Sequence, residues 1–190
     1  QTRTVELAET HKKAMLQKMF PQKGEKVPKV RFEGSSGDWY DQTFNNIFDY
    51  ERPDKYIVNN TEYINEGIPV LTANKSFVLG YTDEKNIYQK GSCIIFDDFT
   101  LDSKFVNFPF MVKSSAIKIL TVKDGVDLKF AFERLNTANI ISEGHARHYI
   151  SIVQPFKTLI PSEKEQTKIG NYFQELDRNI ETEKKKLEQY

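Results

Sequence analysis

The sequence predicts an α+β protein: a strand-rich body followed by one long coiled-coil helix. Three observations carry that expectation. Aromatic residues make up 13% of the chain, with 14 Phe, 9 Tyr and one Trp, and such side chains favour sheets. Short β-branched or aromatic runs bounded by Gly, Asn, Asp or Pro recur between about Val30 and Pro161. The C-terminal stretch carries apolar residues alternating in steps of four and three.

Taken in order, residues 4–20 place Val5, Ala8, Met15, Leu16, Met19 and Phe20 at roughly helical spacing, and Pro21 should end that helix. The segment PQKGEKVP at 21–28 reads as a linker from its Pro, Gly and charge content. The runs GIPVLTA, SFVLGYT, SCIIFDD, SAIKILTV, YISIV and FKTLI are the expected strands. One helix interrupts them at DLKFAFERLNTANI, with Leu128, Phe132 and Leu135 on one face and Asp127 as N-cap. The last helix opens with Ser162 and Glu165 in the spacing of a capping box. Ile169, Phe173, Leu176, Ile180 and Leu187 then form its seam. A stripe that narrow, with charge everywhere else, requires a helical partner: the N-terminal helix, or another chain.

Charge is balanced overall, with 27 basic and 27 acidic residues, but it is segregated along the chain. Residues 1–31 carry eight Lys/Arg against three acids, and residues 38–66 carry seven acids against two basic residues. From Ser103 to Lys123 there are four lysines and no acid, and Gly144 to Ser162 is also free of acids. Such segments can present one face to an anionic polymer or make an ordinary mixed surface. The lone Cys93 excludes an intrachain disulfide and fits a reducing, cytoplasmic location; it reads as a small buried residue. No apolar run approaches the roughly 18 residues of a membrane span. The chain starts at Gln1 inside a helical pattern, as expected of a fragment.

Phosphate-binding loops, dinucleotide glycine fingerprints, zinc-type cysteine pairs and nucleophile elbows are missing, so no cofactor and no metal are implied. Asp97, Asp98 and Asp102 with Lys104 imitate a metal-dependent nuclease, although Asp and Ser at that place equally make a turn. In EGHARHYISIV, His145 and His148 straddle a loop entering a strand, where side chains three apart face opposite ways, so joint metal ligation is disfavoured. What remains is a donor-rich loop centred on Arg147, suited to a guanine edge or a phosphate. The polar turn Asn74-Lys75-Ser76 suits base-edge contact as well as an ordinary hairpin.

Several stretches together resemble the specificity subunits of type I restriction–modification systems. KMFPQKGEKVPKVRFEGSSGDWYDQTF at 18–44 looks like the junction where a conserved helix gives way to a target-recognition domain. GIPVLTANKSFVLGY at 67–81 and IIFDDFTLDSKFVNFPFMVKSSAIKIL at 95–121 are similar to that domain's body. IPS-x-x-EQ-x-KI followed by F-x-x-LD-x-x-I is similar to the start of the next conserved helix. The resemblance implies a non-catalytic DNA-reading subunit that docks methyltransferase and restriction subunits, with paired helices setting the distance between two half-sites. It divides the chain into the end of a spacer helix (1–20), a linker (21–29), a recognition domain (30–161) and a coiled-coil spacer helix (162–190). Full subunits hold two recognition domains; a chain with one is expected to be a second half or a half-sized version that homodimerises through the seam. The residues expected to meet double-stranded DNA are Thr72, Asn74, Lys75, Tyr81, Lys104, Lys113, His145, Arg147 and His148. The rivals are the nuclease and a scaffold that never touches DNA.

A lysine at position 180 places a charge in the seam. If the seam joins two copies, sedimentation of Ile180→Lys shifts toward monomer; an unchanged oligomeric state means that the helix pairs within its own chain.

Overall fold

The computed structural model describes residues 2–142, 144 and 146–188. In chain order the elements are α1 (Thr2–Met19), β1 (Tyr40–Thr43), α2 (Phe44–Ile47), β2 (Phe48–Glu51), β3 (Ile68–Leu71), β4 (Val78–Thr82), β5 (Cys93–Asp97) and β6 (Ser103–Val106). There follow β7 (Met111–Val112), β8 (Ile117–Val122), α3 (Leu128–Asn136), a π-helical turn at Tyr149–Val153, β9 (Lys157–Ile160) and α4 (Glu163–Glu188). The sheet-plus-helix content and the long terminal helix match the expected class. Among the described residues no helix is long and apolar enough to cross a membrane.

Two compact units share the chain. A helical unit comprises Gln1–Gln42, Asp124–Asn139 and Lys157–Tyr190, and a strand unit comprises Thr43–Lys123 and Ile140–Phe156.

In the helical unit α4 packs on both α1 and α3. Ile169, Phe173 and Ile180 of the seam are buried there, with Leu176 and Leu187 half-buried. The seam therefore finds its helical partners within the chain, and a charge at position 180 acts first on that packing. Phe20, at the end of α1, anchors an aromatic core. Its ring stacks on Phe130 at 5.6 Å, meets Trp39 edge-on at 6.0 Å and lies 5.9 Å from Phe173. The N-terminus of α3 is capped as expected, the Asp127 carboxylate accepting from the Phe130 N–H at 2.8 Å. Gly170 of α4 lies against that carboxylate, and a Cβ there would collide with it, so glycine permits the close approach.

The capping box at α4 is a correction. Both carboxylate oxygens of Glu165 accept from Arg31, at 2.9 Å from Nε and 2.7 Å from Nη2. A bidentate guanidinium outbids the weaker return bond to the Ser162 N–H.

Four charges join the three helices. Lys129 donates to Glu133 at 2.7 Å and to Asp177 at 2.5 Å, and Lys12 reaches Asp177 at 2.5 Å and Glu133 at 3.3 Å. Burial alone would raise the Asp177 carboxyl, but Lys129 and Lys12 outweigh it and hold it below the ordinary range. Its contribution is present at neutral pH and fades as pH falls through that depressed value.

The strand unit holds a four-stranded sheet, order β2-β8-β5-β6, and a three-stranded sheet, order β4-β3-β7. All pairings of the first are antiparallel; in the second β3 runs antiparallel to β4 and parallel to β7. A core of Leu71, Tyr88, Cys93, Ile95, Val106, Phe110, Val112, Ile117 and Ile119 lies on one face of the larger sheet. Period-two alternation sends Phe96, Lys118 and Leu120 to the other face. Burial pushes the Cys93 thiol up to about 12, so at neutral pH it is an inert packing group.

Glu133 is buried and serves two ammonium groups. Glu133→Gln should lower the unfolding free energy by about 3 kcal/mol, because it leaves cations buried with too little counter-charge. Urea denaturation followed by circular dichroism measures this.

Candidate functional site

The expected strand YISIV forms a π-helical turn instead, with Val153 and Gln154 N–H groups bonded to the His148 and Tyr149 carbonyls at 3.1 and 2.8 Å. The reason lies on β5–β6, where Asp98 follows the strand. Asp98 is 2% exposed, and its Oδ1 accepts from the backbone N–H of Tyr149 at 2.8 Å and of His148 at 3.1 Å. A distant carboxylate thus supplies the acceptors that the first turn of a helix lacks, and the turn wins over the β-branched propensity. The Asp98 carbonyl also accepts from the His148 N–H at 2.9 Å and lies 3.1 Å from its Nδ1.

Two cations complete the carboxylate. Lys118 Nζ lies 2.9 Å from Oδ2, and Arg147 Nη1 lies 3.3 Å from the same atom. Burial alone would raise the Asp98 carboxyl; the Tyr149 N–H, Lys118 and Arg147 outweigh it and hold it below its usual value. Arg147 also donates from Nη1 to the Ser115 carbonyl at 2.9 Å and from Nη2 to the Ser115 hydroxyl at 3.4 Å, with its guanidinium 5.1 Å from the centre of the Phe99 ring. Its side chain remains 48% exposed. Around it Tyr50, Arg52, Asp98, Lys118, Arg147, Ile150 and Ser151 line a cleft of about 350 Å³.

Of the residues singled out in the sequence, one group gathers at the β3–β4 hairpin. Its tip is closed by Thr72 N–H to the Phe77 carbonyl at 2.9 Å, and the Asn74 side chain accepts from the Ser76 N–H at 3.1 Å. Asn74, Lys75 and Ser76 are exposed and Thr72 is half-buried. Lys113 joins this group, since its N–H bonds the Leu71 carbonyl, where β3 enters the turn, at 3.2 Å. Two residues further on, Ser115 holds Arg147. The acid-free connection from β7 to β8 therefore touches both the hairpin and the cleft.

Other residues fall elsewhere. Tyr81 sits in the body of β4, half-buried and bridged to Ile64, and Lys104 lies on the edge strand β6 opposite Ile95. His148 is a correction: it is fully buried, so its ring has no surface to offer a ligand. His145 lies outside the described residues. Asp97 and Asp102 shape a turn, as the simpler reading held. Asp97 Oδ1 accepts from the Phe99 and Thr100 N–H groups at 2.8 and 3.0 Å, and Asp102 accepts from the Thr100 hydroxyl at 2.9 Å. Among the described residues no group of three or more His, Cys, Asp or Glu is placed to hold a metal ion.

Sequence reasoning missed Tyr50, Arg52 and Lys118. Lys118 left a signal, being a lysine amid the apolar run AIKIL, where a buried charge requires an anion from elsewhere in the chain.

This fold, with hairpin and cleft on a strand unit and a long helix beside another, is that of the specificity subunits of type I restriction–modification systems. The S subunit from M. genitalium superposes with a TM-score of 0.73 at 16% identity, covering 99% of this chain and 52% of that one. A chain from a structure on complex assembly and conformational transition of the type I R-M system gives 0.62 at 13%, covering 97% and 47%. The HsdS subunit from Thermoanaerobacter tengcongensis gives 0.54 at 13%, covering 95% and 46%. In sequence, the specificity subunit of the Escherichia coli type I restriction enzyme EcoR124I/EcoR124II is 46% identical over 123 residues. That match covers 60% of this chain and 30% of that subunit. No protein-family model matches the sequence. Sequence and fold agree, and the chain resembles one half of a type I restriction specificity subunit.

Asp98→Ala leaves Lys118 buried without its anion and the π-turn without acceptors, and should cost about 3–5 kcal/mol in chemical denaturation. The depressed carboxyl adds a pH signature. Its contribution is complete at neutral pH and is lost as pH falls through that depressed value, so the gap between wild type and variant should narrow in acid.

Proposed function

We propose that the chain is a non-catalytic DNA-specificity module that reads one half of a bipartite duplex target. The single observation that supports this best is the acid-free β7–β8 connection, which bonds to an exposed polar hairpin at Lys113 and to a half-exposed, anchored arginine at Ser115. Exposed Asn74 and Lys75 can donate to base edges, and Lys113 and Arg147 add positive charge. Tyr81, in β4, and Lys104, on the edge strand β6, lie apart from this group. The likeness to the Escherichia coli subunit supports the same reading.

In this reading residues 30–161 are the recognition domain. Residues 162–190 are the spacer helix, 1–20 the end of a preceding one and 21–29 the linker from that helix to the recognition domain. The helices dock methyltransferase and restriction subunits, which carry the chemistry. Two copies joined along α4 would restore two half-sites. The half-buried Leu176 and Leu187, with Leu7 exposed on α1, are among the apolar groups left for such a contact.

The test is selection of bound sequences from a pool of randomised duplexes, followed by affinity against salt. One enriched motif is expected, with affinity falling steeply as salt rises, the logarithmic slope being about −0.9 per neutralised phosphate. A combined Asn74→Ala, Lys75→Ala variant should lose about 1–3 kcal/mol of preference for that motif over a scrambled duplex. A pool that yields no motif, with the methyltransferase subunit present as well as without it, rules the reading out.

A further inference from the structure

The Arg147 cleft and the hairpin tip are both cationic, but they differ in shape and in how their side chains are held. Asn74, Lys75 and Ser76 stand exposed in the turn that joins β3 to β4. The Arg147 guanidinium is drawn down onto its own unit: Nη1 to the buried Asp98 carboxylate and the Ser115 carbonyl, Nη2 to the Ser115 hydroxyl, with Phe99 beneath. It forms part of the wall of a recess, together with Tyr50, Arg52, Lys118, Ile150 and Ser151. A base edge in the major groove lies about 8.5 Å below the phosphate ridges, so a side chain that reads it must project. A phosphate ridge is itself the projecting part of the duplex, and it enters a recess.

The chemistry of the wall agrees with the shape. Arg52, Lys118 and Arg147 bring three cations against two carboxylates, Asp98, which bonds Lys118 and Arg147, and Asp54, which pairs with Arg52 at 2.9 Å, so the wall keeps a net positive charge. The Tyr50 ring and the exposed Ile150 give the cleft an apolar side, suited to the carbon face of a deoxyribose. Its volume of about 350 Å³ leaves room for one sugar–phosphate unit.

Resting on the DNA reading above, we propose that this cleft seats a backbone phosphodiester of the bound duplex. Arg147 sets register and leaves base discrimination to the hairpin. Asp98 is then the anion that holds Arg147 and Lys118 in the wall, both bonding its Oδ2. The two parts of the surface divide the work of recognition, one supplying sequence-independent affinity and the other selectivity.

Arg147→Gln and Arg147→Lys test this in the full chain, each checked for an unchanged melting temperature. With Arg147→Gln, affinity should fall on the order of tenfold for the selected and the scrambled duplex alike, and the salt slope should shrink by roughly 1. The selected motif should not change. Arg147→Lys, which keeps the charge but loses the planar fork, should retain most of the affinity and the same motif. Duplexes carrying a neutral methylphosphonate at single linkages give an independent measurement. One linkage should weaken the wild type but leave Arg147→Gln unaffected. A base position that loses its preference in either variant overturns the proposal and assigns Arg147 to base reading. Unchanged affinity in Arg147→Gln overturns it by removing the cleft from the interface. Both outcomes leave the DNA reading standing, whereas a wild type that selects no motif removes that reading itself.

Discussion

Four donors converge on the Asp98 carboxylate in the interior of the strand unit: an ammonium, a guanidinium and two backbone N–H groups. An ionised carboxylate cannot be left there unmatched, because stripping its hydration costs several kcal/mol. Each match then fixes something else. Lys118 is held on the face of β8 opposite the main core. Residues 148 and 149 are pulled into a helical turn, and that turn brings Ile150 and Ser151 to the cleft. Arg147 is pinned at one end while the rest of its side chain stays in solvent. The Lys118 and Arg147 side of the recess and the turn that carries Ile150 follow from satisfying one buried acid, while β2 and the Arg52–Asp54 pair supply the rest.

The helical unit meets the same constraint differently. Lys12, Lys129, Glu133 and Asp177 form a closed set of two cations and two anions drawn from three helices. Hydrophobic stripes alone permit helices to slide or rotate by a residue. A charge set that balances in one arrangement disfavours the others, because a shift strands a charge in the interior. Together with the contact of Gly170 on the cap of α3, it gives the packing of α1, α3 and α4 a defined register.

How much of this was legible depended on whether the deciding interaction was local. The end of α1 at Pro21, the Asp127 cap and the seam of α4 follow from spacing within a few residues, and the structure has them. Thr72, Asn74 and Lys75 could be grouped because they share a turn. The misreadings involve partners far off in sequence. Glu165 lies three residues from Ser162 but is taken by Arg31. YISIV has strand propensity but bends to an acid some fifty positions earlier. His148 looked like part of a polar loop, yet it is buried against Asp98. The cleft was invisible for the same reason, as Tyr50 and Lys118 belong to neighbouring strands and Arg147 to neither.

The division of the chain has a further consequence for engineering and for natural recombination. The strand unit is supplied by two separate stretches, Thr43–Lys123 and Ile140–Phe156, with α3 threaded between them. Asp98 lies in the first stretch; Arg147, His148 and Tyr149 lie in the second. A chimaera that exchanges only the longer stretch with a relative would put one parent's acid opposite the other parent's donors. Grafts of the strand unit should therefore transfer both stretches together, as a pair with four junctions, because a single crossover within the unit can leave the buried acid facing donors that do not match it.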